Sequence, residues 1–229
     1  MLLRGLVVAL ALATFATSAA ANHPESDLDG ALAKRETYFE AVDRPAPNFD
    51  LVDAQGRAVS LDDLSDKIVV LQFIFTNCPG MCPLHAEKLA DAQRKINASP
   101  MKELVQFVSI TTDPTNDTGK VLEAYGPDHG LDPINWAFLT VPPGHDEAAT
   151  RMLAEAFKHK FVKGENGLQT HGVVTHVIDR NGRWAANFHG LEFSTLNLVL
   201  YVNGLTNSTA HSHENKTEKG IFQKILDLF

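Results

Sequence analysis

With 229 residues, 44% of them hydrophobic and 21% charged, the chain lies in the ordinary globular range and is long enough to bury one core of moderate size. Its formal net charge is −8. An acidic chain without a basic run argues against nucleic acid as a partner and against more than peripheral contact with a membrane surface. A structural disulfide is one reading of the two cysteines, Cys78 and Cys82, but so short a loop removes little chain entropy when closed, and redox or metal chemistry explains a close pair better.

Met1 to Arg4 carry one positive charge, Gly5 to Ala16 form an apolar run, and Ala19-Ala20-Ala21 offer a small-residue cleavage site. This pattern predicts a signal peptide over residues 1–21 and an exported, periplasmic protein; a retained membrane anchor is the competing reading. Residues 22–44 read as a polar lead-in with a short helix near Ala31 to Val42. From Asn48 to Val52 and Arg57 to Leu61, around Ala54-Gln55-Gly56, the pattern is a hairpin. Ile68 to Phe75 is nearly continuous in apolar residues, as a central strand covered on both faces requires.

Helical and strand patterns then alternate. Pro83 to Ile96 carries Leu89, Ala92 and Ile96 on one stripe, with Leu84 near its edge. Leu104 to Thr111 reads as a strand, Asn116 to Tyr125 as a helix, Ala137 to Thr140 as a short strand and His145 to Phe157 as a helix. Val173 to Ile178 and Arg183 to Phe188 form a second hairpin, for which Asn181-Gly182 predicts a type I′ turn. Ser194 caps a helix through Val202. The order gives an α/β fold of thioredoxin-like plan: an N-terminal hairpin, a central sheet and flanking helices, in one domain over 45–203. Residues 204–229 read as a flexible tail holding His211 and His213, closed by a short helix at Ile221 to Phe229.

The informative segment is Thr76-Asn77-Cys78-Pro79-Gly80-Met81-Cys82-Pro83. A spacing of four puts both cysteine side chains on one face of a turn, so their sulfurs can bond each other or share one metal ion. Pro83 suits a first helical turn. Free N–H groups at that helix start predict a depressed thiol pKa at Cys82.

This segment resembles the T-x-C-P-x-x-C-P signature of the SCO/SenC family of copper chaperones. The resemblance continues through Ser109-Ile110-Thr111-Thr112-Asp113-Pro114, Asn116-Asp117-Thr118 and Thr170-His171-Gly172, and covers about Pro45 to Val202. It implies copper, as Cu(I) or Cu(II), bound by Cys78, Cys82 and His171. It also implies a redox-active Cys78–Cys82 disulfide, and as partner the copper-receiving subunit of a respiratory haem–copper oxidase with its dinuclear copper centre. Two positions depart from the family pattern: Thr170 stands where Asp is common, and His176 where Tyr is frequent. His176 is a rival ligand, but a strand residue must happen to face the cysteines, whereas a loop residue can reach them.

Two thiolates and one imidazole are a soft, low-count donor set that suits copper better than a four-ligand structural zinc. The alternative is thiol–disulfide reductase chemistry on the cysteines of that centre or of another exported protein. Against it stand the Cys-x-x-x-Cys spacing and the lack of a proline in Val173-Val174-Thr175, where thioredoxin-like reductases carry one. His85 reads as a solvated helix-face residue, Asp113 as a turn or site-shaping residue, Met81 as a partly exposed apolar contact, and Phe73 and Phe75 as core.

Overall fold

The computed structural model describes residues 24–159, 161–163 and 169–207. The signal segment, the terminal helix, His211 and His213 lie outside the described residues. In chain order the elements are α1 (Pro24–Ala33), β1 (Phe39–Pro45), β2 (Asp50–Val52), β3 (Ala58–Ser60), β4 (Ile68–Ile74), α2 (Met81–Asn97), β5 (Val105–Thr111) and α3 (Gly119–Asp128). They continue with β6 (Trp136–Leu139), α4 (Ala149–Ala156), β7 (Phe161–Lys163), β8 (Gln169–His171), β9 (Val174–Ile178), β10 (Arg183–His189) and α5 over 195–207.

Six strands make one mixed sheet in the order β1-β10-β9-β4-β5-β6. β4, β5 and β6 are parallel and joined by the crossover helices α2 and α3, while β9, β10 and β1 run antiparallel to their neighbours. Every residue of β4 is buried, because both sheet faces are covered. On one face Val70 and Ile74 pack with Leu89, Ala92 and Ile96 of α2 and with Leu198 and Val202 of α5. On the other, Val69, Leu71 and Phe73 pack with Leu51 and Leu61, with Ala154 of α4, and with Phe157 and Trp184. α3 lies close on its neighbour: a Cβ at Gly126 would stand 2.2 Å from the Trp136 ring.

Three expectations are corrected. The helix near Ala31 to Val42 does not form. The helix ends at Ala33, and Phe39–Pro45 is the sheet's edge strand, mostly exposed and therefore without an apolar alternation to betray it. Its register with β10 shifts between Ala41 and Arg44, where Asp43 takes a φ of 52°. The Asn181-Gly182 turn is not type I′, since of the two only Gly182 has a positive φ, 75°. It is a three-residue loop governed by Asp179, whose carboxylate accepts the Asn181 and Arg183 N–H groups at 2.9 Å and binds Arg183 Nε at 2.9 Å. Asp53 does the same for Gln55 and Arg57 in the first hairpin, with Gly56 at a φ of 77°. One D-x-x-G-R device thus shapes both hairpins, an aspartate turn closed by a left-handed glycine. The last helix continues past Val202 to residue 207, into the stretch read as tail. The hairpin β7–β8 has no counterpart among the elements read from sequence.

Candidate metal centre

The dithiol sits where β4 ends and α2 begins. Past Phe75 the chain turns, and the Cys78 N–H donates to the Phe75 carbonyl at 3.3 Å. Gly80 precedes the helix and offers no side-chain cap. In its place Cys78 Sγ accepts the Cys82 N–H at 3.4 Å, so one of the helix's orphan donors points at sulfur. The two thiols are in hydrogen-bond contact with each other, and they are not joined in a disulfide.

Their surroundings differ. Cys78 is half-buried, while Cys82 is 1% exposed and packs in the core beneath α2. Burial pushes the Cys82 thiol well above its ordinary range, and the hydrogen bond with Cys78 adds to the shift. The expected depression at the helix start is therefore corrected: the helix N–H serves the Cys78 sulfur, while the Cys82 side chain turns inward, where desolvation outweighs the helix end. A thiolate at Cys82 requires a compensating positive charge, such as a metal ion supplies.

Asp117 fixes the loop that presents Cys78. Its carboxylate is fully buried and accepts the Thr76 N–H at 3.1 Å, the Thr76 hydroxyl, and the Thr111 hydroxyl at 2.5 Å. It thereby ties the segment after β4 to the end of β5. Burial raises its pKa, and the two threonine hydroxyls oppose that rise. Asp113 plays the turn role, its carbonyl accepting the Asn116 and Asp117 N–H groups at 3.1 and 2.9 Å. Tyr125 packs in the same cluster as both cysteines, and its buried hydroxyl has no hydrogen-bond partner among the described residues. Beside the loop opens a groove of about 480 Å³ lined by Thr76, Asn77, Lys120, Val121, Tyr125 and His129. Met81 and Leu84, near the first turn of α2, are 47% and 50% exposed.

The histidines separate by sheet face. His85 is not solvated: it is 2% exposed and its Nε2 lies 2.7 Å from Thr175 Oγ1, because the inner face of α2 packs directly on β9. His176 neighbours Thr175 on that strand, so the pleat turns it to the opposite face. It is fully buried there among Phe73, Phe157 and Trp184, away from the cysteine face, with its Nε2 2.7 Å from His159 Nε2. His171 closes β8, paired with Phe161 of β7; its side chain lies outside the described part of the structure. Among the described residues no three His, Cys, Asp or Glu side chains converge on one point, while Cys78 and Cys82 do come together. Sequence reasoning gave no role to Asp117, Tyr125 or His159. The first two become legible only once the loop, β5 and α3 are known to meet, and His159 shows no local pattern at all.

The family model described as SCO1/SenC matches residues 40–199. The SCO1 protein homolog of Bacillus subtilis (strain 168) is 30% identical over 146 residues, covering 63% of this chain and 73% of its own. A solved structure reporting a disulfide switch in BsSco, a member of the Sco family of cytochrome c oxidase assembly proteins, superposes with a TM-score of 0.64 at 25% identity. It covers 73% of this chain and 96% of the other. The structure of Arabidopsis thaliana ScoI with copper bound gives a TM-score of 0.56 at 23% identity over 74% of this chain and 98% of the other, a likeness of fold.

Proposed function

Since the chain belongs to the SCO1/SenC family, we propose that it is a copper chaperone of the exported compartment, holding copper through Cys78, Cys82 and His171 for a respiratory oxidase. The observation that carries this reading is the pair of touching sulfurs at the β4–α2 junction, one half-buried and one fully buried. The copper-bound relative and the assembly protein among its structural neighbours agree with it. The donor set fits: two sulfurs bind Cu(I) well, and an imidazole extends the set toward Cu(II). Copper is cargo in this scheme and supplies the charge that keeps the buried Cys82 deprotonated.

Each residue then has a task. Cys78, held by the Asp117-anchored loop and open to solvent on one side, is the sulfur that a partner's ligands reach first. Cys82 is the inner anchor and leaves the metal last, taking back a proton. His171, on a hairpin apart from the sheet, is the ligand that can be withdrawn without disturbing the core. Exposed Met81 and Leu84 flank the exit and suit contact with a receiving protein. The signal peptide over 1–21 delivers the domain to the periplasm. Among the described residues no helix is long and apolar enough to cross a membrane.

A second reading rests on the same asymmetry. An accessible Cys78 with a buried Cys82 behind it is also an attacking and resolving pair. Cys78 thiolate would open a partner disulfide, and Cys82 would displace the mixed disulfide. The two thiols would become one disulfide while the partner gains two electrons and two protons. His171→Ala separates the readings. Copper delivery predicts greatly weakened Cu(II) binding and failed assembly of the oxidase copper centre, with reduction of a model disulfide within a few-fold of wild type. Normal assembly by His171→Ala, where Cys78→Ser fails, would replace delivery by dithiol chemistry.

A further inference from the structure

A polar chain crosses the sheet face opposite the cysteines and is used by nothing described so far. Asn187 Oδ1 accepts the Trp184 indole N–H at 2.7 Å and stands 2.7 Å from His176 Nδ1. The Asn187 amide nitrogen donates to Glu40 Oε2 at 2.9 Å, and His189 Nε2 lies 2.8 Å from that same oxygen. An amide oxygen only accepts, so His176 must carry its proton on Nδ1. Its Nε2 is then a lone pair, and the hydrogen bond of 2.7 Å across to His159 is donated by His159 Nε2–H. Every donor along this chain has one direction, set from the surface carboxylate of Glu40 inward.

His159 is where the chain of bonds meets the chain of residues. It follows α4 through a Schellman turn: the Lys158 N–H donates to the Glu155 carbonyl at 2.8 Å and the His159 N–H to the Ala154 carbonyl at 2.9 Å. Lys158 bears the left-handed φ of 63° that this turn needs, a conformation costly for a residue with a Cβ. One residue later β7 begins, and β7 pairs with β8 so that Phe161 faces His171. β8 then runs on, through Gly172 and Val173, into β9, which carries His176. The two roots of the β7–β8 hairpin are thus pinned to each other by the His159–His176 bond, inside a box of Phe73, Phe157 and Trp184 rings.

We infer that His159 and His176 form a clasp that positions the β7–β8 hairpin, and through it His171, so that both act on copper binding as positioning residues without touching the metal. The inference rests on His171 being the third ligand. A ring of similar shape at either position fills the box but cannot make the bond. Loss of the clasp releases the hairpin while leaving the two sulfurs where they are.

The test uses the reduced, copper-free chain and the chain titrated with Cu(I) or Cu(II) against a competing chelator, for wild type, His176→Phe, His159→Phe, the double variant and His171→Ala. In wild type, nitrogen NMR should show His176 protonated on Nδ1, His159 protonated on Nε2, and a through-bond coupling between the two Nε2 atoms. In either single variant, backbone amide exchange across Phe161–Lys163 and Gln169–His171 should rise about tenfold, the loss of one buried hydrogen bond, while β4 and β5 stay protected. Cu(II) affinity should fall at least about tenfold, the usual effect of removing a group that orients a metal ligand, with Cu(I) affinity within about threefold. The double variant should be no worse than the singles. Reversed tautomers or absent coupling in wild type overturn the clasp even if the variants fail to fold. Unchanged exchange overturns it too. If His171→Ala weakens Cu(II) binding but His176→Phe does not, the positioning inference is wrong and the ligand stands. If His171→Ala itself has no effect, the ligand reading has failed and the copper half of the inference fails with it.

Discussion

At the residue scale, burial sets the direction in which Cys82, Asp117 and His176 are shifted. Cys82 and Asp117 are both pushed toward their neutral forms by desolvation, and each is then drawn into hydrogen bonds that fix the cysteine loop. His176 shows the same physics in a base. Its pKa is held well below the ordinary value, chiefly by burial, with His159, His85 and His189 adding to the shift and the Asn187 bond opposing it. The sign follows from linkage. Above about pH 6.5 the imidazole is neutral both folded and unfolded, so it costs nothing; below that value the unfolded chain takes up a proton that the folded one refuses. Stability should therefore fall as pH drops below about 6.5, by up to about 1.4 kcal/mol per pH unit for this one proton. Urea titrations between pH 7 and 5 should show that slope, and His176→Phe should flatten it. A variant with the wild-type slope would assign the acid sensitivity to other groups.

At the element scale, the site is a junction held from two sides, and its legibility was uneven for that reason. β4 announced itself, because a strand covered on both faces needs apolar residues at nearly every position, and Ile68–Ile74 supplies them. The cysteine spacing and the start of α2 were equally plain in Cys78-Pro79-Gly80-Met81-Cys82-Pro83. β1 was hidden, since an exposed edge strand does not alternate, and β7 and β8 are too short at three residues each to show a period. The sense of the Cys82 shift was not readable either: helix geometry gives the direction of the N–H groups, but only the fold tells which sulfur they meet. Asp117 joins the loop after β4 to the end of β5 through Thr76 and Thr111. Asp117→Ala strands those donors in a dry site and should cost about 2–4 kcal/mol in chemical denaturation. Asp117→Asn, which keeps an acceptor, should cost less than half as much. Equal losses for both would mean that the negative charge, not the hydrogen bonds, holds the loop.

At the scale of the whole molecule, the sheet divides labour between its faces. One face, under α2, buries Cys82 and aims Cys78 outward; the other, under α4, carries the histidine clasp at the root of the His171 hairpin. The core between them is continuous through β4, and the end of β4 lies beside the start of β9, where Gln72 pairs with Thr175. The cysteines after β4 and the His171 hairpin before β9 therefore belong to the same end of the sheet, where the proposed ligands would meet. In the proposed scheme oxidation is the off-state, because a Cys78–Cys82 disulfide would consume two of the three proposed ligands at once. The most direct test of this account is copper titration of the tag-free mature chain in reduced and oxidised form, with Cys78→Ser and Cys82→Ser alongside. The reduced chain should hold a single Cu(I) tightly, either serine variant none, and the oxidised chain none until the disulfide is reduced. Full copper loading of the oxidised chain, or of either serine variant, would contradict it.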